Sequence, residues 1–222
     1  EFFVTDGQNV AIEDLGAGDV RFALAKFVPG PLGASQGDWQ SYLNRIETPT
    51  EGVGTESAPR LQATAKRASS GTLEHLGEGR YRYTFALDVT APDAALLAQA
   101  EAEGLDLAYE PERTLRVALQ FGGGRQLNPY LDVQPSTGAL DGTPRGLVTT
   151  VANCNGCHDR LAIHGGGRVE IEYCVTCHNP GTTDANSGNS LDMGVMTHRI
   201  HRGAFLPSVQ AGGRYEIYGF RD

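Results

Sequence analysis

All four cysteines of this chain fall between Cys154 and Cys177, in two copies of one pattern: Cys154-Asn155-Gly156-Cys157-His158 and Cys174-Val175-Thr176-Cys177-His178. A disulfide framework scatters cysteines to staple distant loops, so clustering of this kind points to a cofactor or metal site. C-x-x-C-H is the attachment pattern for a c-type haem. Two thiols separated by two residues can each add to one of the two vinyl groups on a single porphyrin edge. The adjacent histidine is then placed under the ring as the proximal iron ligand. The expectation is two covalent haems c, held by Cys154 with Cys157 and by Cys174 with Cys177, with His158 and His178 on the irons.

The rival reading is a zinc ribbon. Sixteen residues separate Cys157 from Cys174, inside the spacing of a C-x₂-C-x₁₅₋₂₀-C-x₂-C site. Zinc does not require a histidine directly after each pair, and with six His in 222 residues a double coincidence is on the order of one in a thousand by composition. A thiol–disulfide redox pair is weaker still, because neither motif follows a strand in a recognisable βαβ context.

Three further histidines, His164, His198 and His201, lie close by, against one (His75) in the first 153 residues. They are the expected distal ligands. Asn189 or Ser190 can cap a helix running to Arg202, with Gly203 as its stop. His198 and His201, three apart, then share a face and are expected to diverge to different haems. The glycines after His164 suit close approach of backbone to a macrocycle, or a plain turn. Met193 and Met196 are rival sixth ligands that would raise the potential, with core packing as their default. Bis-histidine ligation closes both axial positions, so the haem relays electrons and binds no substrate. Arg160, Arg168, Arg199, Arg202 and Arg214 are candidates to hold haem propionates. Asp184-Ala185-Asn186-Ser187-Gly188-Asn189-Ser190-Leu191-Asp192 resembles the start of a calcium loop but lacks the closing Glu of an EF-hand, so calcium is a minor expectation beside a turn and helix cap.

The rest of the chain reads as mainly β. Short strands are expected at 2–5, 20–28, 61–65, 80–89 and 114–121, where apolar residues alternate and Gly or Pro follows. Pro29-Gly30-Pro31 should stop the second of these, and Gly122-Gly123-Gly124 the last. One helix is expected over 92–103, stopped by Gly104. Strands with Gly/Pro turns suggest a Greek-key or split β-barrel, or a sandwich. A loop-rich connector over 126–145 marks the boundary between a β-domain, 1–145, that is structural or a docking platform, and a loop-rich, haem-packed domain with short helices, 146–222. That second segment is poor in long apolar runs, and haem would fill its interior.

Net charge is −9, which argues against a nucleic-acid partner. Residues 1–150 carry 20 acidic and 12 basic side chains, and residues 151–222 carry 7 and 6. No run approaches the roughly 18 apolar residues of a membrane span, and no signal or lipid-anchor pattern is visible.

The motifs with Leu161-Ala162, His164-Gly165-Gly166, Tyr173, Asn179-Pro180-Gly181-Thr182, Ser187-Gly188-Asn189-Ser190 and Met196-x-His198-x-Ile200-His201-x-Gly203 resemble the outer-surface decahaem c-type cytochromes of the OmcA/MtrC type. Trp39-Gln40-Ser41-Tyr42 extends the likeness upstream. The resemblance implies a split Greek-key β-barrel before a multihaem domain, and bis-histidine haems packed as a wire. It also implies an extracytoplasmic place, periplasm, outer membrane or cell surface, and extracellular electron transfer to other redox proteins, cytochrome subunits, flavins or minerals. Family members carry further C-x-x-C-H motifs. Three distal candidates for two haems suggest a fragment of a longer circuit, or a haem satisfied in trans. An enzyme with one open haem position is the remaining alternative.

Overall fold

The computed structural model describes residues 1–31, 33–122, 125–145 and 149–219. Gly123 and Gly124 of the glycine run, and residues 146–148 at the start of the expected haem segment, lie outside the described residues. The strands in chain order are β1 (Phe2–Phe3), β2 (Val20–Gly30), β3 (Gly33–Ser41), β4 (Asn44–Glu47), β5 (Arg60–Ala63), β6 (Lys66–Arg67), β7 (Gly71–Gly77) and β8 (Arg80–Phe85), then β9 (Leu115–Phe121), β10 (Tyr130–Gln134) and β11 (Ala139–Leu140). The helices are α1 (Ala94–Ala102), α2 (Val151–Asn155), α3 (Ile171–Cys174), α4 (Met193–Arg202) and α5 (Pro207–Gln210).

The largest sheet runs β11-β10-β9-β2-β3, with β6 also pairing β2. A second sheet runs β1-β8-β7, and β4 pairs β5. Every named pairing is antiparallel. The chain is thus mostly strand with a few short helices, as expected.

β2 is the centre of the fold, and both its faces are covered. Val20 and Phe22 pack with Leu15, Tyr81 and Phe121 toward the three-stranded sheet. Ala25 and Phe27 face the other way, onto Trp39, Ile171, Val175 and Met193. The segment that carries the cysteines therefore lies on the second face of this sheet, and the two regions share a core.

Several expected boundaries shift. β2 runs through Pro29 to Gly30; its pairing with β9 ends at Lys26, so beyond that point Pro29 meets only β3 and its missing N–H breaks no ladder on the β9 side. The connector expected over 126–145 contains β10 and β11, which extend the sheet from β9. β3 and β7 were not expected, because GASQGDWQS and GTLEHLG lack an apolar alternation. α1 behaves as read: Asp93 caps it by accepting from the Ala95 and Leu96 amides at 2.9 and 3.3 Å, and Gly104 follows at φ +71. α4 starts later than expected. Asp192, not Asn189 or Ser190, is its N-cap and accepts from the Val195 amide at 2.8 Å.

Candidate haem-binding sites

Both C-x-x-C-H motifs fold the same way. In each, a short helix ends at or just after the first cysteine. The amides of the second cysteine and of the histidine then point back to the first cysteine's carbonyl, at 3.1 and 3.0 Å for Cys157 and His158 and 3.1 and 2.8 Å for Cys177 and His178. One helical turn brings residues i, i+3 and i+4 to one side. The spacing thereby sets two thiols and an imidazole around one edge.

The sheet positions the second motif. On the face of β9 and β2 that carries it, Ala23 and Ala118 leave a hollow that the ring of Tyr173 fills, with all three residues fully buried. Arg116 sits beside that hollow at 1% exposure. Its Nε and Nη2 donate to Asp132 at 2.7 and 2.6 Å, and Nη1 donates to the Glu172 carbonyl at 3.0 Å. Its guanidinium lies between the Trp39 and Tyr130 rings, 4.0 and 4.4 Å from their centroids. Tyr173 and Glu172 directly precede Cys174, so the strand residues hold the attachment helix. Trp39 also lines a crevice with His178, Asp192 and Met193.

The histidines form two cross-element pairs. The rings of His158 and His201 have centroids 6.1 Å apart at 79°, and those of His164 and His178 are 5.9 Å apart at 35°. Two imidazoles on opposite sides of one metal, each with a metal–nitrogen bond of about 2.0–2.1 Å, have centroids about 6 Å apart. The residues present fit the axial positions of two haem irons. The tautomers suit as well. His178 Nδ1 lies 2.9 Å from the Leu191 carbonyl and His201 Nδ1 lies 2.8 Å from the Thr197 carbonyl. A carbonyl only accepts, so Nδ1 carries the proton in each and Nε2 is left for a metal.

Burial also favours neutral, ligating forms. Desolvation pulls the His178 imidazole down, partly offset by the Leu191 carbonyl. His164 lies at an exposed turn but is crowded on its inner side, and that desolvation, with the Arg168 charge, pulls it down. Burial pushes Cys174 up to about 11 and raises Cys177 too. Such thiols are protonated at neutral pH, unlike a redox-active thiolate. None of the four cysteines is in a disulfide. Among the described residues no group of three or more His, Cys, Asp or Glu side chains could hold a metal ion. The zinc-ribbon geometry, which needs four converging ligands, is therefore absent among them.

The remaining candidates separate. His198, on α4, enters neither ring pair. Met193 is 8% exposed and packs in the core with Phe27 and Trp39, and Met196 packs against the same cluster. Of the five arginines, Arg168 is the one whose charge acts on His164, Cys174, Cys177 and His178 together. Arg199 donates to Asn189 Oδ1, Arg202 to the Phe205 carbonyl, and Arg214 pairs with Glu216. In the loop read as calcium-like, Asp184 is 2% exposed and accepts from Asn186 N, Ser187 Oγ and Tyr218 N. Its oxygens serve a turn. Sequence reasoning missed Arg116 and Gln120 of β9 and Asn128 of the connection to β10, which touch the segment that carries the motifs. The first two occupy the polar positions of an alternating strand, which ordinarily face water.

A β-sheet backing two c-type attachment motifs with paired histidines defines a multihaem c-type cytochrome. Known proteins of that class are similar to this chain. A family model described as "Outer membrane cytochrome MtrC/MtrF-like, domains II/IV" matches residues 145–217. The multihaem cytochrome MtrC of Shewanella baltica (strain OS185) is 28% identical, over 95% of this chain and 29% of its own length. The crystal structure of the outer membrane decahaem cytochrome OmcA matches with a TM-score of 0.80 and 28% identity, covering 99% of this chain and 33% of that one. The crystal structure of MtrC from Shewanella baltica OS185 matches with a TM-score of 0.58 and 25% identity, covering 91% and 30%. The chain is thus similar to the outer-surface multihaem cytochromes of the OmcA/MtrC type. It spans about a third of the length of these relatives.

Proposed function

We propose that this chain transfers electrons through two covalently bound, bis-histidine haems c. The first is attached at Cys154 and Cys157 and ligated by His158 and His201, and the second is attached at Cys174 and Cys177 and ligated by His178 and His164. The observation that carries the reading is the pair of imidazole separations, 6.1 and 5.9 Å, each joining a motif histidine to one from another element. When bound, a haem supplies a one-electron iron couple. The protein's own residues then do the rest. Two histidines per site would hold the iron and leave no position for a small ligand. Backbone carbonyls of Leu191 and Thr197 hold two of the four rings in the ligating tautomer. Arg168 is the candidate to pair with a propionate of the second haem.

His198 is read as the ligand of a further haem whose attachment motif is not among these 222 residues. Similarity to longer multihaem proteins supports that. The same similarity supports an extracytoplasmic, cell-surface place and a role in an electron conduit with other redox proteins or cytochromes, with flavins or minerals as acceptors. No described helix is long and apolar enough to cross a membrane. The 1–145 region, with its three-stranded sheet packed on the Val20 and Phe22 face of the larger one, is read as a Greek-key or split-barrel unit backing the 146–222 dihaem segment. Calcium has no part in the reading, because Asp184 is engaged by protein donors.

A pyridine-haemochrome assay should return two covalent haems per chain, and none would restore the zinc alternative. Addition of CO to the reduced protein or cyanide to the oxidised one at native pH should give no rapid binding. Rapid binding by the unmodified chain would replace the closed relay with an open-site haem enzyme.

A further inference from the structure

We infer that the side-chain amides of Gln120, Gln126 and Asn128 are positioning residues that hold His164 in place, so that β9 and its connection to β10 decide whether the second haem is closed or open. This rests on the His164–His178 pairing proposed above.

The two distal histidines have very different support. His201 is in the last turn of the ten-residue helix α4. His164 is at the tip of a hairpin closed by the Ile163 and Arg168 bridge, with amide–carbonyl distances of 3.0 and 3.2 Å. Three successive residues there are left-handed: His164 at φ +54, Gly165 at +75 and Gly166 at +82. Glycine adopts this backbone freely, but a histidine does so at a cost in energy and is uncommon there. Such a turn, with no helix or long ladder behind it, needs outside support to keep its shape.

β9 and its connection to β10 provide that support at four consecutive residues. Gln126 Nε2 donates to the Gly166 carbonyl at 2.9 Å. Asn128, 2% exposed, donates from Nδ2 to the Gly167 carbonyl at 3.0 Å and accepts at Oδ1 from the Val169 amide at 2.8 Å. Gln120 Oε1 accepts from Arg168 Nε at 3.1 Å. The hairpin is seated directly on these amides: a β-carbon at Gly167 would come within 2.5 Å of Gln120 Nε2. His178, by contrast, is held separately through α3 and the Leu191 carbonyl. Loosening the clamp therefore frees one ligand of one haem and leaves the other three axial histidines where they are.

The test uses the haem-loaded 222-residue chain and three variants, Asn128→Ala, Gln126→Ala and His164→Ala. The readouts are the rate and stoichiometry of CO capture by the dithionite-reduced protein, and the ferric high-spin absorbance. His164→Ala should open one of the two haems. Asn128→Ala should capture CO about fivefold faster or more than the parent, since each lost hydrogen bond of ordinary net strength changes an opening equilibrium by about that factor. Capture should be confined to half the haem and suppressed by added imidazole. Gln126→Ala, at an exposed position, should move the same way and decides the matter if Asn128→Ala does not fold.

If His164→Ala opens one haem while neither amide variant speeds capture, the clamp is refuted and the pairing stands. Equal acceleration at both haems would also refute it, as general loosening. If His164→Ala opens no haem, the pairing itself fails and the clamp falls with it.

Discussion

Replacing Arg116 with methionine severs the main polar junction between the sheet and the second attachment helix. The side chains of Arg116 and Asp132 are 2% and 5% exposed, so the guanidinium and carboxylate are cut off from water. Methionine approximates the length of the arginine stem and fills much of its space, so little of the loss is a cavity. What remains is a buried Asp132 without its two charge-assisted hydrogen bonds, and breaking a buried pair in this way costs about 3–5 kcal/mol. Loss of the stacking on Trp39 and Tyr130 adds about 1 kcal/mol. Removing both partners, as Arg116→Met with Asp132→Leu, also removes the stranded charge. The double variant should then recover at least about 2 kcal/mol over the single one. The remaining deficit would reflect the Glu172 carbonyl, which loses its Arg116 donor. Urea unfolding of the haem-loaded chain, followed by circular dichroism, measures all three midpoints. A single-variant loss below about 1 kcal/mol would mean water reaches this pair, contrary to a buried strut. A double variant no better than the single one would refute the stranded-charge account.

Other consequences are open to direct measurement. His201→Ala should open the first haem to CO, whereas His198→Ala should leave both closed; CO titration of the two variants separates them. Imidazole planes at 79° and 35° would hold the two irons in different ligand fields, so ferric EPR of the haem-loaded chain should show two distinct low-spin signals. A single shared signal would contradict the ring geometry. Tyr173→Ala empties the hollow over Ala23 and Ala118 and should cost about 3–5 kcal/mol by denaturant unfolding, while Tyr173→Phe should cost under about 1 kcal/mol, its hydroxyl being 3.5 Å from Gln120. At Asp141 burial opposes ionisation, but hydrogen bonds from Thr114, Thr143 and Arg145 outweigh it and hold the carboxyl below the usual range. Because the folded value is depressed, its stabilisation is present above about pH 4 and lost as pH falls below that. Asp141→Asn should flatten the acid limb of the stability curve.

The two motifs and their common turn were legible in the sequence because they are local. C-x-x-C-H occupies five consecutive residues, and the structure folds both copies into the same turn. α1 and the strands around Val20, Arg80 and Leu115 were legible for a similar reason, since caps, glycines and apolar alternation act over a few residues. Tertiary structure decided which of the other histidines meets which motif. His198 and His201 are chemically alike and three residues apart, and only the path from α2 to α4 brings His201 to His158. It also decided which side of the sheet faces the haem segment. In β9 the polar positions Arg116 and Gln120 are buried at 1% and 9%, while Leu115, Val117 and Leu119 are half-buried. Alternation shows that a strand has two faces, but what covers each face depends on distant residues, here Tyr173, Arg168 and the His164 hairpin. Long-range packing has no periodicity of its own in the chain, which is why the support of the second site emerged only from the folded structure.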